Sequence, residues 1–132
     1  MNELVDKLVA LERNISNEKG GFYLFALFLR EDSPNKWDVV ASAPWFKAHD
    51  HQALDFIAKE LQSNLRTDEL VSISRIVLVD DDNPGVHAIQ RMVRIEHGTV
   101  ELLDNFVFGM HIKHAYVITS KREPTPLSAG AS

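Results

Sequence analysis

Apolar residues return at helical spacing from the start of the chain. Leu4, Leu8, Leu11 and Ile15 fall on one side of a helical wheel, with Asp6, Lys7, Glu12 and Arg13 elsewhere on it. A period near 3.6 predicts an amphipathic helix that buries one stripe. It should end near Lys19-Gly20-Gly21, where glycine offers a left-handed cap. The period then changes. FYLFALFL, residues 22–29, is apolar on both faces of a two-residue repeat, which predicts an interior strand covered on both sides. Glu31-Asp32-Ser33-Pro34-Asn35 has the composition of a turn. WDVVASA at 37–43 returns as a second, antiparallel strand, and Pro44 ends it because proline donates nothing to a ladder.

The helical period resumes after Asp50, read as an N-cap. Leu54, Ile57, Ala58, Leu61 and Leu65 make its apolar face, while Asp55, Lys59 and Gln62 lie off it. ISRIVLV at 73–79 is the third strand. Asn83 then caps a third helix with Pro84 at its first position. Val86, Ile89, Met92 and Val93 form the inner face of that helix, and His97-Gly98 breaks it. The remainder carries a strand or a hairpin. HAYVITS at 114–120 is its clearest part, and Gly109 marks a bulge or bend.

These elements predict an α+β fold: a single domain over residues 1–120 with a mixed β-sheet, an N-terminal hairpin plus crossover strands, packed with about three helices. Residues 121–132, KREPTPLSAGAS, have almost no apolar content and read as a disordered tail.

Composition narrows the function classes. The 132 residues suffice for one core, and 45% apolar with 25% charged is ordinary for a globular chain. Without cysteine there is no disulfide framework, thiolate zinc site or thiol nucleophile. The mixed charge of the first twenty residues reads as neither signal nor transit peptide, and no apolar run is long enough to span a bilayer as a helix. A soluble, cytoplasmic protein without membrane contact is expected. A net charge of −5 disfavours nucleic acid as a partner. Lys121-Arg122 is the only basic cluster at a chain end.

The strongest chemical feature is Asp80-Asp81-Asp82, at the carboxyl end of the third strand. Open α/β sheets hold ligands at such ends, and clustered carboxylates bind Mg²⁺ and activate water. Asp80 and Asp81, with Asp38 on the second strand, are therefore the catalytic candidates. Asp82 and Asn83 have a sufficient duty at the start of the following helix, whose positive end favours acids. The string VLVDDDNP resembles the acidic opening of response-regulator receiver domains. In receivers that pair follows the first strand; here about half of the domain precedes Asp80, and too little follows it to supply the later strands. The resemblance stops at those residues.

Other signatures are absent. No Glu-x-Lys or Asp-x-Lys of a restriction-endonuclease-like core occurs, nor a Gly-x-Ser-x-Gly elbow, a Ser-x-x-Lys pair or a glycine-rich phosphate loop. Two histidine pairs, His49 with His51 and His111 with His114, lack a recognised zinc spacing, so no metal site is assigned. On a strand His111 and His114 fall on opposite faces. Trp45 and Phe46, beside Pro44 and next to His49 and His51, form a candidate binding surface, because tryptophan is enriched where partners bind. Phe106, Phe108, Met110 and Tyr116 read as core or as one face of a dimer.

The expected function is that of a small binding or regulatory module without a catalytic motif or cofactor, recognising a protein partner or a second copy of itself. The alternative is a Mg²⁺-dependent hydrolase, of nuclease or phosphoesterase type, built on Asp80 to Asp82.

Overall fold

The all-apolar run after the first helix is the centre of the structure, and what lies on its two sides defines the architecture. The computed structural model describes residues 2–32, 35–46 and 50–122. In chain order these form α1 (Asn2–Lys19), β1 (Leu24–Arg30), β2 (Trp37–Ser42), a 3-10 turn at Pro44–Phe46, α2 (Asp50–Asn64), α3 (Thr67–Val71), β3 (Ile73–Leu78), α4 (Pro84–Met92), β4 (Val100–Val107) and β5 (Met110–Ser120). The five strands make one sheet in the order β3-β2-β1-β5-β4. β2 and β3 run parallel and the other neighbours antiparallel, so the α+β fold has the mixed sheet that the sequence predicts. No helix of the described residues is long and apolar enough to cross a membrane.

β1 is the middle strand, which is why its residues are apolar on both faces. Phe25 and Leu27 pack with Val39, Ala41 and Ile118 beneath α1 and α2. Leu24, Ala26 and Phe28 pack with Val40, Val117 and Ile112 beneath α4. Each large side chain buried this way contributes about 1.5–3 kcal/mol, so the two cores lock the sheet between its helices. Leu4, Leu8, Leu11 and Ile15 are all buried, as their spacing requires. Phe22 and Phe25 meet edge to face at 4.9 Å, and Trp45 and Phe46 pack against Phe22.

The structure departs from the pattern at the margins of each stripe. On α2, Ala53 is buried while Leu54 is 38% exposed. On α4, Met92 is 49% exposed and Gln90 is buried instead. Hydrophobic period gives a direction to about one position, and the opposing surface decides which neighbour turns inward. α3 is an element beyond the three helices expected. Its signal is half a capping box: Glu69 Oε1 accepts from the Arg66 backbone N–H at 2.8 Å. The same oxygen accepts from Lys7 Nζ at 2.8 Å, so α3 is stitched to α1. That lysine bond, more than any other contact, holds the Glu69 carboxyl below its ordinary pKa.

β4 and β5 form a hairpin joined by Phe108-Gly109 between the paired Val107 and Met110. Both connecting residues are left-handed, at φ 54° and 72°, as a two-residue primed turn requires. Gly109 is thus a turn residue rather than a bulge. Phe108 tolerates its conformation because its ring packs 5.9 Å from that of Phe28 and directly over Gly85 of α4. A Cβ on Gly85 would lie 2.4 Å from that ring, so only glycine permits the approach. Residues 123–132 lie outside the described part of the chain, and with them most of the expected tail. Lys121 continues from the sheet, its N–H bonding the Tyr23 carbonyl at 3.0 Å.

Candidate functional site

The acidic candidates do not converge. Asp38 pairs in register with Arg75 of β3, and Asp80 lies five residues further along that strand's path. At about 3.3 Å per residue their backbones sit roughly 16 Å apart along the strands, toward opposite ends of the parallel pair. Asp38 is buried, and its Oδ2 accepts from Arg30 Nε at 2.9 Å and Arg75 Nε at 3.2 Å. It neutralises and holds two arginines. Asp80 and Asp82 are exposed and Asp81 is partly covered. The Asp80 carbonyl accepts from the Asn83 N–H at 3.1 Å, and Asn83 Oδ1 accepts from the Gly85 N–H at 2.8 Å. The segment is a turn that starts α4, with the cap expected of Asn83. Among the described residues no three His, Asp or Glu side chains cluster as a metal ion would need.

The surface proposed around Trp45 is split by the core. Phe46 is buried against Phe22 and Trp45, so it offers nothing to a partner; the apolar pull of the core outweighs its place in a connection. Trp45 is half-buried and lines a hollow of about 220 Å³ with Lys19, Gln52, Ala53 and Phe56. Its Nε1 is buried without a hydrogen-bond partner among the described residues. His51 is exposed, 3.8 Å from Asp55. His49 and the side chain of Asp50 lie outside the described residues.

His111 and His114 share a face after all. Leu29 pairs with His114 but Arg30 pairs with Ile112, so Lys113 is the extra residue of a bulge. That insertion offsets the two-residue alternation. His114 packs against Trp37 and Tyr116, and its Nε2 bonds Glu101. His111 Nδ1 lies 2.5 Å from Glu31 Oε2, and its Nε2 3.3 Å from Asp104. The bond to Glu31 raises the His111 pKa above its ordinary 6.5, against a smaller opposing effect of desolvation. A raised folded pKa means that the pair stabilises the fold fully below the unfolded value, and that this stabilisation is lost as pH rises through the folded value. Ring-proton NMR titration should find the His111 pKa falling toward 6.5 in Glu31→Gln. An unchanged pKa would remove Glu31 as the cause.

The structure also assembles a group of residues that sequence spacing did not single out. His87, Arg91 and Arg94 recur at i, i+4 and i+7, along the solvent side of α4 and just past its end. Gln90, between them, is buried, and its Nε2 donates to the Lys121 carbonyl at 2.8 Å. Ile95 exchanges backbone hydrogen bonds with Ser120, at 3.2 and 2.8 Å. These contacts bring the end of α4 against the end of β5, and set Arg91 and Arg94 around hollows that Arg122 also lines. Two adjoining hollows result. One, of about 320 Å³, is lined by His87, Gln90, Arg91 and Arg122. The other, of about 370 Å³, is lined by Gln90, Arg94, Ile95, Glu96, Ser120, Lys121 and Arg122.

Set against protein-family models, curated proteins and solved structures, the chain matches none.

The geometry therefore carries the functional reading. Lys121 Nζ pairs with Glu96 at 2.9 Å. Arg91, Arg94 and Arg122 have no ion-pair partner among the described residues. Lys121-Arg122 was visible in the sequence as a weak cluster. What was not visible is that a helix some thirty residues earlier adds two arginines beside it, because only the packing of Gln90 and Ile95 on the strand end sets that distance.

Proposed function

We propose that the protein is a small binding module that takes up an anionic small molecule, bearing phosphate or carboxylate groups, in the paired hollows between α4 and the end of β5. One observation carries this reading: three arginines from two separate elements line adjoining hollows in a chain of net charge −5. Arginine's planar fork matches carboxylate and phosphate oxygens in pairs. The hollows, of about 320 and 370 Å³, each fall within the usual size of small-ligand sites. The negative end of α4 accounts for Arg91 and Arg94 near that terminus. It does not account for Arg122, which arrives from the sheet. Among the described residues, the hollow at Trp45 is lined by one cation, Lys19, whose ammonium already sits 4.9 Å from the Phe56 ring centre. Asp80 and Asp81 have no support from Asp38, so the hydrolase reading is not preferred.

Isothermal titration with pyrophosphate and with citrate tests the site and separates phosphate from carboxylate preference. Binding of at least one probe is expected, weakening as salt rises. Replacing Arg94 or Arg122 by alanine should weaken it about tenfold each, the loss of one charge-assisted hydrogen bond. Absence of binding by both probes at millimolar concentration, or affinity indifferent to both substitutions, would overturn the proposal.

A further inference from the structure

We infer that the protein pairs with a second copy of itself through β4, in an antiparallel contact whose two-fold axis passes between Asp104 and Asn105. The observation behind it is independent of the anion site. β4 is the last strand of the sheet, with no neighbouring strand on its outer edge among the described residues. It carries the two most exposed large hydrophobic side chains among the described residues, Phe106 at 78% and Leu103 at 63%. Both lie on the face that His111 and His114 share, each opposite one of them in register. The Phe106 ring is already positioned. It stacks on His111 at 4.8 Å and 17°, and His111 is held in turn by Glu31. A fixed, uncovered aromatic ring beside an exposed leucine is costly in water and is a mark of an interaction surface.

The occupant follows from the polarity of the strand. Leu102-Leu103-Asp104-Asn105-Phe106-Val107 reads apolar, apolar, polar, polar, apolar, apolar, and reads the same in reverse. An antiparallel second copy centred between Asp104 and Asn105 sets Leu103 against the partner's Phe106 and Leu102 against the partner's Val107. Asp104 then faces the partner's Asn105, an amide that can donate to the carboxylate. Moving the axis onto Asp104 would oppose two carboxylates, and moving it onto Leu103 would set Asp104 against leucine. Both cost stability. A strand from an unrelated protein would require no such symmetry of β4. Asp104 is left-handed, at φ 50°, and interrupts the edge at its centre. The contact is therefore carried by side chains on both flanks rather than by a continuous ladder.

The chain contains no cysteine, so engineered thiols report on this register without background. In the pairing described, position 103 lies beside position 106 of the other copy, within disulfide reach, whereas identical positions are offset by about 10 Å, beyond it. Mixed Leu103→Cys and Phe106→Cys proteins should therefore cross-link at least about tenfold faster than either does alone. Sedimentation should find the wild-type protein as a dimer and the double variant L103E/F106E as a monomer with an unchanged far-UV spectrum, since both positions are exposed. A wild-type protein that stays monomeric at millimolar concentration would overturn the inference. So would a dimer that survives L103E/F106E, or faster cross-linking between identical positions.

Discussion

Replacing Glu12 by alanine should destabilise the protein by about 3–5 kcal/mol, the range for removing one partner of a buried charged network. Glu12 lies on α1 and has no solvent exposure. Its Oε2 accepts from Thr119 Oγ1 at 2.9 Å and from Ser16 Oγ at 3.0 Å. Its Oε1 lies 2.5 Å from His97 Nδ1. The circle closes through Thr119, whose hydroxyl oxygen accepts from the His97 N–H at 3.1 Å. One carboxylate thus ties the first helix, the last strand and the loop after α4. It also holds His97 in a left-handed conformation, φ 55°, that a non-glycine residue adopts only when its surroundings impose it. Alanine would leave a cavity, a hydroxyl and an imidazole without a partner. Glutamine keeps the shape and one acceptor, so the loss should be smaller. Urea denaturation of E12A and E12Q checks the order. Equal stability of E12A and wild type would show that the network contributes nothing net.

Asp38→Ala is the second large effect, a loss of about 2–4 kcal/mol, kept below the full cost of breaking a buried pair because Arg75 is half exposed. The carboxylate serves Arg30 and Arg75 together, and Arg30 also reaches Asp32 at 2.9 Å. Removing it places two guanidinium groups side by side at the start of β2 and β3. Functional carboxylates are held in costly settings, and their removal is often neutral or stabilising. Thermal and urea unfolding of D38A therefore separates the roles. A clear loss marks Asp38 as structural, and a gain would return it to the list of catalytic candidates.

Much of the fold was legible because burial is periodic. The stripe Leu4, Leu8, Leu11, Ile15, the two-sided apolarity of β1 and the Asn83-Pro84 helix start each follow from a local rule, and each is present. The errors sit where a local rule has two solutions. Glu12 lies off the apolar stripe of α1 on a helical wheel, yet it is buried, because Thr119 and His97 satisfy it from more than eighty residues away. Gln90 displaces Met92 from the inner side of α4 by finding the Lys121 carbonyl. The bulge at Lys113 reverses the expected facing of His111 and His114, and no residue type announces it.

The candidate sites divide in the same way. From the sequence came the α+β class, the order of the longer elements and the structural duty of Asn83. Each depends on contacts within a few residues, where spacing translates directly into geometry. Tertiary structure alone decided that Asp38 and Asp80 stand apart, that Phe46 belongs to the core, and that Arg91, Arg94 and Arg122 line adjoining hollows. Those facts depend on which strand neighbours which and on how α4 crosses the sheet. Such distances are set by packing between segments remote in the chain, and no period along the sequence encodes them.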